Sequence, residues 1–190
     1  MIIQKSSYIL NNRVGGLIFQ DFPADFNSEG SVVELRRLTS ENMDEIIALQ
    51  VAENQRGFVS PNSRSIMDAH VAITNNEIAI TFGIYDDKIV VGFLILTYGV
   101  NKDPLMPSIA HRNYYIWHFM IDEKYQRQGY GRQAINQLFE YMRTDPCGEG
   151  KLCWTSYTVG NKGAKTFYEK CGFQENGETV FGEIVTVRRL

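Results

Sequence analysis

The segment from Asn113 to Met142 limits the fold more than any other part of the chain. It opens with a strongly β-type run, Asn113–Asp122, which carries Tyr114, Tyr115, Ile116, Trp117 and Phe119. The loop Glu123-Lys124-Tyr125-Gln126-Arg127-Gln128-Gly129-Tyr130-Gly131 follows. Ile135, Leu138, Phe139 and Met142 then recur at helical spacing, and the helix ends before Pro146. Glycines at a helix start let backbone N–H groups approach an anion with no Cβ in the way. The helix dipole adds positive potential at the same place. Lys124, Arg127 and Arg132 add cationic side chains, and no acid lies between residues 124 and 132. The segment predicts a cradle for a pyrophosphate.

Gly129, Gly131 and Ala134 also fit G-x-G-x-x-A, the fingerprint of dinucleotide-binding folds. Three features oppose that reading. The first glycine lies well past the strand end at Asp122. The next strand closes on Thr158 and Val159 with no acid for a ribose hydroxyl. Only one further βα unit follows, too few for a two-half Rossmann sheet.

The remaining elements read as β α α β β β α β α β, a mixed α/β layer. Val32–Leu38 is a strand. Thr39 or Ser40 caps a helix carrying Met43, Ile46, Ile47 and Val51, stopped by Gly57. A second helix starts at Pro61 or Ser63 and runs to about Val71. Ile78–Tyr85 and Lys88–Tyr98 form a hairpin across Asp86-Asp87. Lys151–Thr158 is a strand, a last helix runs from Asn161 to a stop at Gly172, and Glu183–Arg189 alternates as a terminal strand. Residues 1–31 read as an extension ahead of a domain over 32–190, with strand-like runs Ile2–Leu10 and Gly16–Phe22 and a loop over Pro23–Ser31.

Composition narrows the function classes. A chain of 190 residues with 44% hydrophobic and 22% charged residues makes one globular domain. A net charge of −3 argues against a cationic nucleic-acid binder. Cys147, Cys153 and Cys171 form no C-x-x-C pair, which favours a reducing cytoplasm. Met1–Leu10 shows no secretory apolar region. The run Ile89–Leu96 falls far short of the ~20 residues of a membrane helix. His70, His111 and His118 have no metal-ligand spacing, so no metal is expected. Residues 41–87 are strongly acidic, carrying Glu41, Asp44, Glu45, Glu53, Asp68, Glu77, Asp86 and Asp87 against Arg56 and Arg64. That half could face a cation while the basic C-terminal half faces an anion.

The loop Gln126-Arg127-Gln128-Gly129-Tyr130-Gly131 resembles the Q/R-x-x-G-x-G/A loop of the GCN5-related N-acetyltransferases. Asn161-x-x-Ala164-x-x-Phe167-Tyr168-x-x-Cys171-Gly172-Phe173 resembles the same family's N-x-x-A-x-x-(F/L)-Y-x-x-x-G-F helix. The likeness covers roughly residues 32–190. It implies a mostly antiparallel mixed sheet flanked by helices, whose two central parallel strands, Tyr114–Asp122 and Lys151–Thr158, splay apart. It implies acetyl-CoA as cofactor, its pantetheine arm on the backbone of Phe119, Met120 and Ile121. The pyrophosphate falls to the loop from Gln126 to Arg132, the pantetheine side to Asn161 and the nucleotide end to Lys165. A homodimer is a family-level expectation.

By the same resemblance Tyr168 is the general acid that protonates the leaving thiolate, a role its ordinary pKa of about 10 suits. Three candidates remain open for the general base: Glu53, His118 and Asp122, with water as a further possibility. Strand alternation puts Trp117, Phe119 and Ile121 on one face and His118, Met120 and Asp122 on the other. Glu53-Asn54-Gln55-Arg56-Gly57-Phe58-Val59 and Tyr115-Ile116-Trp117-His118-Phe119-Met120-Ile121-Asp122 resemble the family's bacterial spermine/spermidine branch. The acceptor is then a primary amine such as a polyamine, with Glu53 on the acceptor wall. The alternatives are another small amine, a protein N-terminus, or a non-catalytic acyl-CoA-binding module.

Overall fold

A computed structural model describes residues 25–27, 32–99 and 105–190. Along the chain lie β1 (Asp25–Phe26), β2 (Val33–Arg37), α1 (Met43–Ala48), α2 (Asn62–Thr74), β3 (Ile78–Asp86) and β4 (Ile89–Tyr98). They continue with β5 (Tyr114–Ile121), α3 (Tyr130–Met142), β6 (Leu152–Thr158), α4 (Lys162–Lys170), β7 (Gln174–Val180) and β8 (Glu183–Arg189). The strands form one sheet in the order β1-β2-β3-β4-β5-β6-β8-β7. Every neighbouring pair is antiparallel except β5 and β6. This is the mixed, mostly antiparallel α/β architecture expected above.

β3 and β4 are nearly continuous apolar runs because helices cover both of their faces. On one face α3 buries Ala134, Ile135, Leu138 and Phe139 against Leu35, Phe82, Leu94 and Leu96. On the other, Ile46 of α1 and Ala69 and Ala72 of α2 meet Phe93, Ile95 and Met120. A smaller cluster of Ala110, Trp154, Val180 and Val185 closes the C-terminal half. The β3–β4 turn places Asp87 at φ +50, a conformation that Asp tolerates better than most residues.

Two expected boundaries move. Neither Thr39 nor Ser40 caps α1, which begins after Asn42. The Asn42 side chain accepts the Thr39 N–H at 2.8 Å and the Thr39 hydroxyl accepts the Glu41 N–H at 3.2 Å. The helix also stops at Ala48, well before Gly57. Leu49 turns to an extended ψ of 140°, and a separate 3-10 turn, Glu53–Gln55, comes before Gly57. The cause is tertiary. The Gln50 N–H donates to Asp122 Oδ2 at 2.9 Å and the Gln50 carbonyl accepts from the Glu123 N–H at 2.8 Å, so the end of β5 draws the chain out of helix.

Two strands escaped the sequence reading. β7 is an exposed edge strand with a polar sequence, interrupted by a bulge around Gly177 at φ +83. β1 falls within the stretch read as loop. It pairs with β2, and the Phe26 ring stands edge-on to Tyr141 at 5.4 Å. The runs Ile2–Leu10 and Gly16–Phe22 lie outside the described residues.

Glu77, at the α2–β3 junction, yields a stability prediction. Among the described residues its buried Oε1 has no hydrogen-bond partner, and burial pushes its pKa up from 4.5 to about 7. Between those values the unfolded chain releases the proton first, so the side chain destabilises the fold increasingly as pH rises through that window. Glu77→Gln removes the penalty. Its melting temperature should exceed wild type by about 2–4 °C at pH 8, the shift that ~1 kcal/mol makes in a chain of this size. At pH 4 calorimetry should find the two equal.

Candidate active site

The site begins where the sheet opens. β5 and β6 pair only at Tyr114 with Cys153 and Tyr115 with Trp154, then diverge. The Thr155 hydroxyl donates to the Ile116 carbonyl at 3.0 Å at the point of parting. Beyond it lies a cleft of about 960 Å³ lined from both sides of the sheet, with Ser65 and Asp68 of α2 and Phe167 and Tyr168 of α4 among its walls.

Simple alternation fails on β5 at one residue. His118 pairs with Ile95 and Ile116 with Leu96, so Trp117 is an extra, bulged residue. Phe119 and Ile121 share the α3/α4 side as expected, with the Phe119 ring stacked on Phe167 at 5.5 Å. Trp117 leaves that face and packs with the α1/α2 cluster, beside Met120. Bulges re-aim side chains in this way, and one sequence cannot reveal them without its partner strand.

The glycine loop joins the end of β5 to the start of α3 along the cleft. Gly129 precedes α3 at φ +92, and no side chain caps that helix. A Cβ on Gly131 would stand 3.0 Å from the Phe167 ring, so glycine there lets the start of α3 approach α4. Gln126 ties the loop to its surroundings, donating to Gln55 Oε1 at 2.7 Å and to the Ile121 carbonyl at 2.9 Å. Arg127 holds φ +63. Gln128 donates to the Lys124 carbonyl and Tyr130 to Asp86, so both side chains are committed outside the cleft lining. Asn161 caps α4, its Oδ1 accepting the Ala164 N–H at 3.0 Å, and lines the cleft.

The cations divide differently from the sequence reading. Arg127 and Arg132 line the cleft, joined by Lys162 and Lys170 of α4. Lys165 is outside the lining, paired with Glu175 and with Glu169 at 3.4 Å. Lys162, Thr166 and Lys170, spaced i, i+4 and i+8, share the stripe that faces the cleft, while Lys165 and Glu169 pair with each other beside it.

Tyr168 projects from α4 into the cleft, packed among Phe167, Tyr157 and Phe173. Burial raises its pKa, with the Thr155 side chain opposing part of that rise, so the phenol keeps its proton throughout the physiological range. Of the three base candidates, Asp122 is buried and bound to two backbone N–H groups, Gln50 and Lys124. Glu53 is exposed on the 3-10 turn, outside the cleft lining. His118 lines the cleft and contacts Ser65 and Asn62 at 3.0 Å each, and burial lowers its pKa to about 4.

Two acids line the cleft among the described residues: Asp68 of α2, part of the acidic stretch read from the sequence, and Glu183 of β8, which the sequence reading did not single out. Glu183 is buried opposite Thr158 and accepts hydroxyl donors from Ser156 at 2.7 Å and Thr158 at 2.9 Å. Only the β6–β8 register reveals this meeting.

The model of the "Acetyltransferase (GNAT) family" matches residues 43–173. The chain belongs to this family. It is an acetyl-CoA-dependent N-acetyltransferase. The "Spermine/spermidine N(1)-acetyltransferase" of Bacillus subtilis (strain 168) is 28% identical over 163 residues, covering 83% of this chain and 99% of the relative. Among solved structures, spermidine N-acetyltransferase from Vibrio cholerae, in complex with CoA and spermine, aligns with TM-score 0.58 at 20% identity, covering 83% and 95% of the two chains. PaiA N-acetyltransferase from Thermoplasma acidophilum, in complex with coenzyme A, aligns with TM-score 0.57 at 14% identity, covering 83% and 99%.

Donor binding by this acetyltransferase should depend on Gly129 and not on Lys165. Saturating acetyl-CoA, at about 100 times its Kd, should raise the wild-type melting temperature by roughly 5–10 °C. Gly129→Glu puts a carboxylate and an L side chain at a positive φ and should erase that rise. Lys165→Ala should keep it. Scanning fluorimetry with and without acetyl-CoA reads both.

Proposed function

We propose that the enzyme acetylates a small polycationic amine, of the spermidine or spermine class, by direct transfer within a ternary complex. The observation that carries this reading is the division of charge along one cleft. Its cations, Arg127, Arg132, Lys162 and Lys170, belong to the glycine loop and the α3 and α4 helices, and its acids, Asp68 and Glu183, to α2 and β8. An anionic donor and a cationic acceptor then each meet the opposite sign. The function named for the Bacillus subtilis relative agrees with it.

The donor-side residues fit a pyrophosphate-bearing ligand. The uncapped start of α3 offers N–H groups, Gly129 keeps the approach open, and Arg127 and Arg132 add charge. The backbone of Phe119, Met120 and Ile121 runs along the cleft where β5 has lost its β6 partner, which leaves room for an extended ligand arm. Asn161 holds the far wall. Acetyl-CoA, when bound, supplies the activated acyl group as a thioester. Tyr168 Oη holds a proton at cleft depth and delivers it to the departing sulfur. Asp68 and Glu183, rather than the exposed Glu53, attract the acceptor's ammonium groups in this reading.

Thiol release in the presence of an acceptor panel tests the assignment. Spermidine and spermine should be turned over. Amino acids and a serine-terminated peptide should not, and the reverse pattern would sink the polyamine assignment. Glu183→Gln and Asp68→Asn should each raise KM for spermidine about tenfold, ~1.4 kcal/mol, with a smaller effect on kcat. KM should also climb with salt as screening shortens toward ~8 Å. Tyr168→Phe keeps the ring and should cost roughly 10²–10⁴ in kcat with folding intact.

A further inference from the structure

Asn62, Ser65 and His118 form a buried polar group at the edge of the cleft. Asn62 and Ser65 stand one turn apart on α2 and clasp the imidazole that β5 presents. Asn62 Nδ2 donates to the Ile46 carbonyl at 2.8 Å, which fixes the amide orientation and turns Oδ1 toward His118 Nε2 at 3.0 Å. An amide oxygen only accepts, so Nε2 carries the ring hydrogen. Nδ1 is then an acceptor, and the Ser65 hydroxyl at 3.0 Å donates to it. The Ser65 lone pairs are left for whatever enters the cleft, which Ser65 and His118 both line.

We propose that Ser65 takes the proton from the attacking amine and passes its own to His118, with Asn62 holding the ring in the required tautomer. The inference rests on amine acetylation as the reaction and not on which amine is used. The amine attacks in its neutral form, having lost its first proton to solvent; as the new N–C bond forms and the thioester C–S bond breaks, the nitrogen's surplus proton moves to Ser65 Oγ. The Ser65 proton moves to Nδ1, and the imidazolium keeps its Nε2–H on Asn62 Oδ1. His118 afterwards releases the proton to solvent. The proton needed by the sulfur comes separately, from Tyr168 Oη, which is refilled from solvent.

Two observations favour this over a histidine that is merely satisfied. Asn62, Ser65 and His118 are 4%, 7% and 6% exposed, and three buried polar side chains are a costly way to fill space that an apolar trio would fill. The ring is also neutral at neutral pH, so its Nδ1 lone pair is open to the Ser65 proton, and burial makes the imidazolium a transient holder that gives the proton up again. Its surroundings are uncharged: the Phe93 ring of β4 at 5.3 Å, Ser65 and Asn62 of α2, and Met120, which Asn62 touches. The next ionisable group along α2, Asp68, is tied to Arg64.

The test is steady-state kinetics with spermidine and with benzylamine. Ser65→Ala and His118→Gln should each lower kcat about 10²-fold with both amines, leaving KM for acetyl-CoA and the acetyl-CoA thermal shift unchanged. The double variant should be no slower than either single one, since the residues act as a unit. Rates in H2O–D2O mixtures should bow for wild type, with two protons in flight, and run straight for Ser65→Ala. Ser65→Thr restores the hydroxyl and should recover most of the rate. If His118→Gln does not fold, the two Ser65 variants decide alone. Wild-type kcat in Ser65→Ala would overturn the relay. So would a loss of rate that comes with a fall in both melting temperature and acetyl-CoA affinity. Turnover of benzylamine but not spermidine would sink the polyamine reading and still test the relay; turnover of neither, nor of any amine in the acceptor panel, would overturn both.

Discussion

Everything in the site depends on how little of β5 and β6 is paired. Two residue pairs, at Tyr114 and Tyr115, hold the parallel strands together, and the ladder ends there. β6 does not lose its hydrogen bonds by leaving. It runs a full antiparallel ladder against β8 from Leu152 to Thr158. β5 keeps its other edge on β4. The sheet therefore splits without orphaning either strand completely, and the cost of opening it is confined to one edge of each. That gap is the cleft, and both halves of the core remain intact around it.

The walls of the gap are fixed by a few polar ties rather than by helix packing alone. Asp122, at the end of β5, binds the Gln50 and Lys124 N–H groups, which fixes both the loop after α1 and the turn before the glycine loop. Gln126 bridges the same two regions through Gln55 and the Ile121 carbonyl. The loop after α1 and the glycine loop are thus locked to one strand end. A buried carboxylate with two backbone donors is a strong local anchor, and it ties Asp122 to structure.

Much of the fold was legible because its signals are local. The glycines before α3, the start of the last helix at Asn161, its stop at Gly172 and the Asp86-Asp87 hairpin are all read within a few residues. The glycine loop and the α4 segment that carries Tyr168 were legible for the same reason, as contiguous motifs. What stayed hidden needed a partner. The α1 boundary is set by Asp122, far along the chain. β7 has an edge strand's polar sequence and no alternation to find. Glu183 looks like the first residue of an ordinary strand until the register sets it against Thr158. A first helix running on to Gly57 would set Glu53 at its end, but α1 stops at Ala48 and leaves Glu53 exposed on a separate turn.

The bulge at Trp117 matters most for how the two faces cooperate. A regular β5 would carry Trp117, Phe119 and Ile121 on one face throughout. With one extra residue, Ile116 and then Phe119 and Ile121 all serve the α3/α4 side. His118 and Met120 serve the α2 side. The strand so presents an apolar run to the helices that carry the glycine loop and Tyr168, and an imidazole to the helix that carries Ser65 and Asp68. Groups on opposite sides of a continuous sheet could not act on one ligand, because the backbone would separate them. In a sheet that is split at the same residues they line one space. The splay supplies the opening and the bulge supplies the side chains that face it, and neither would build the site alone.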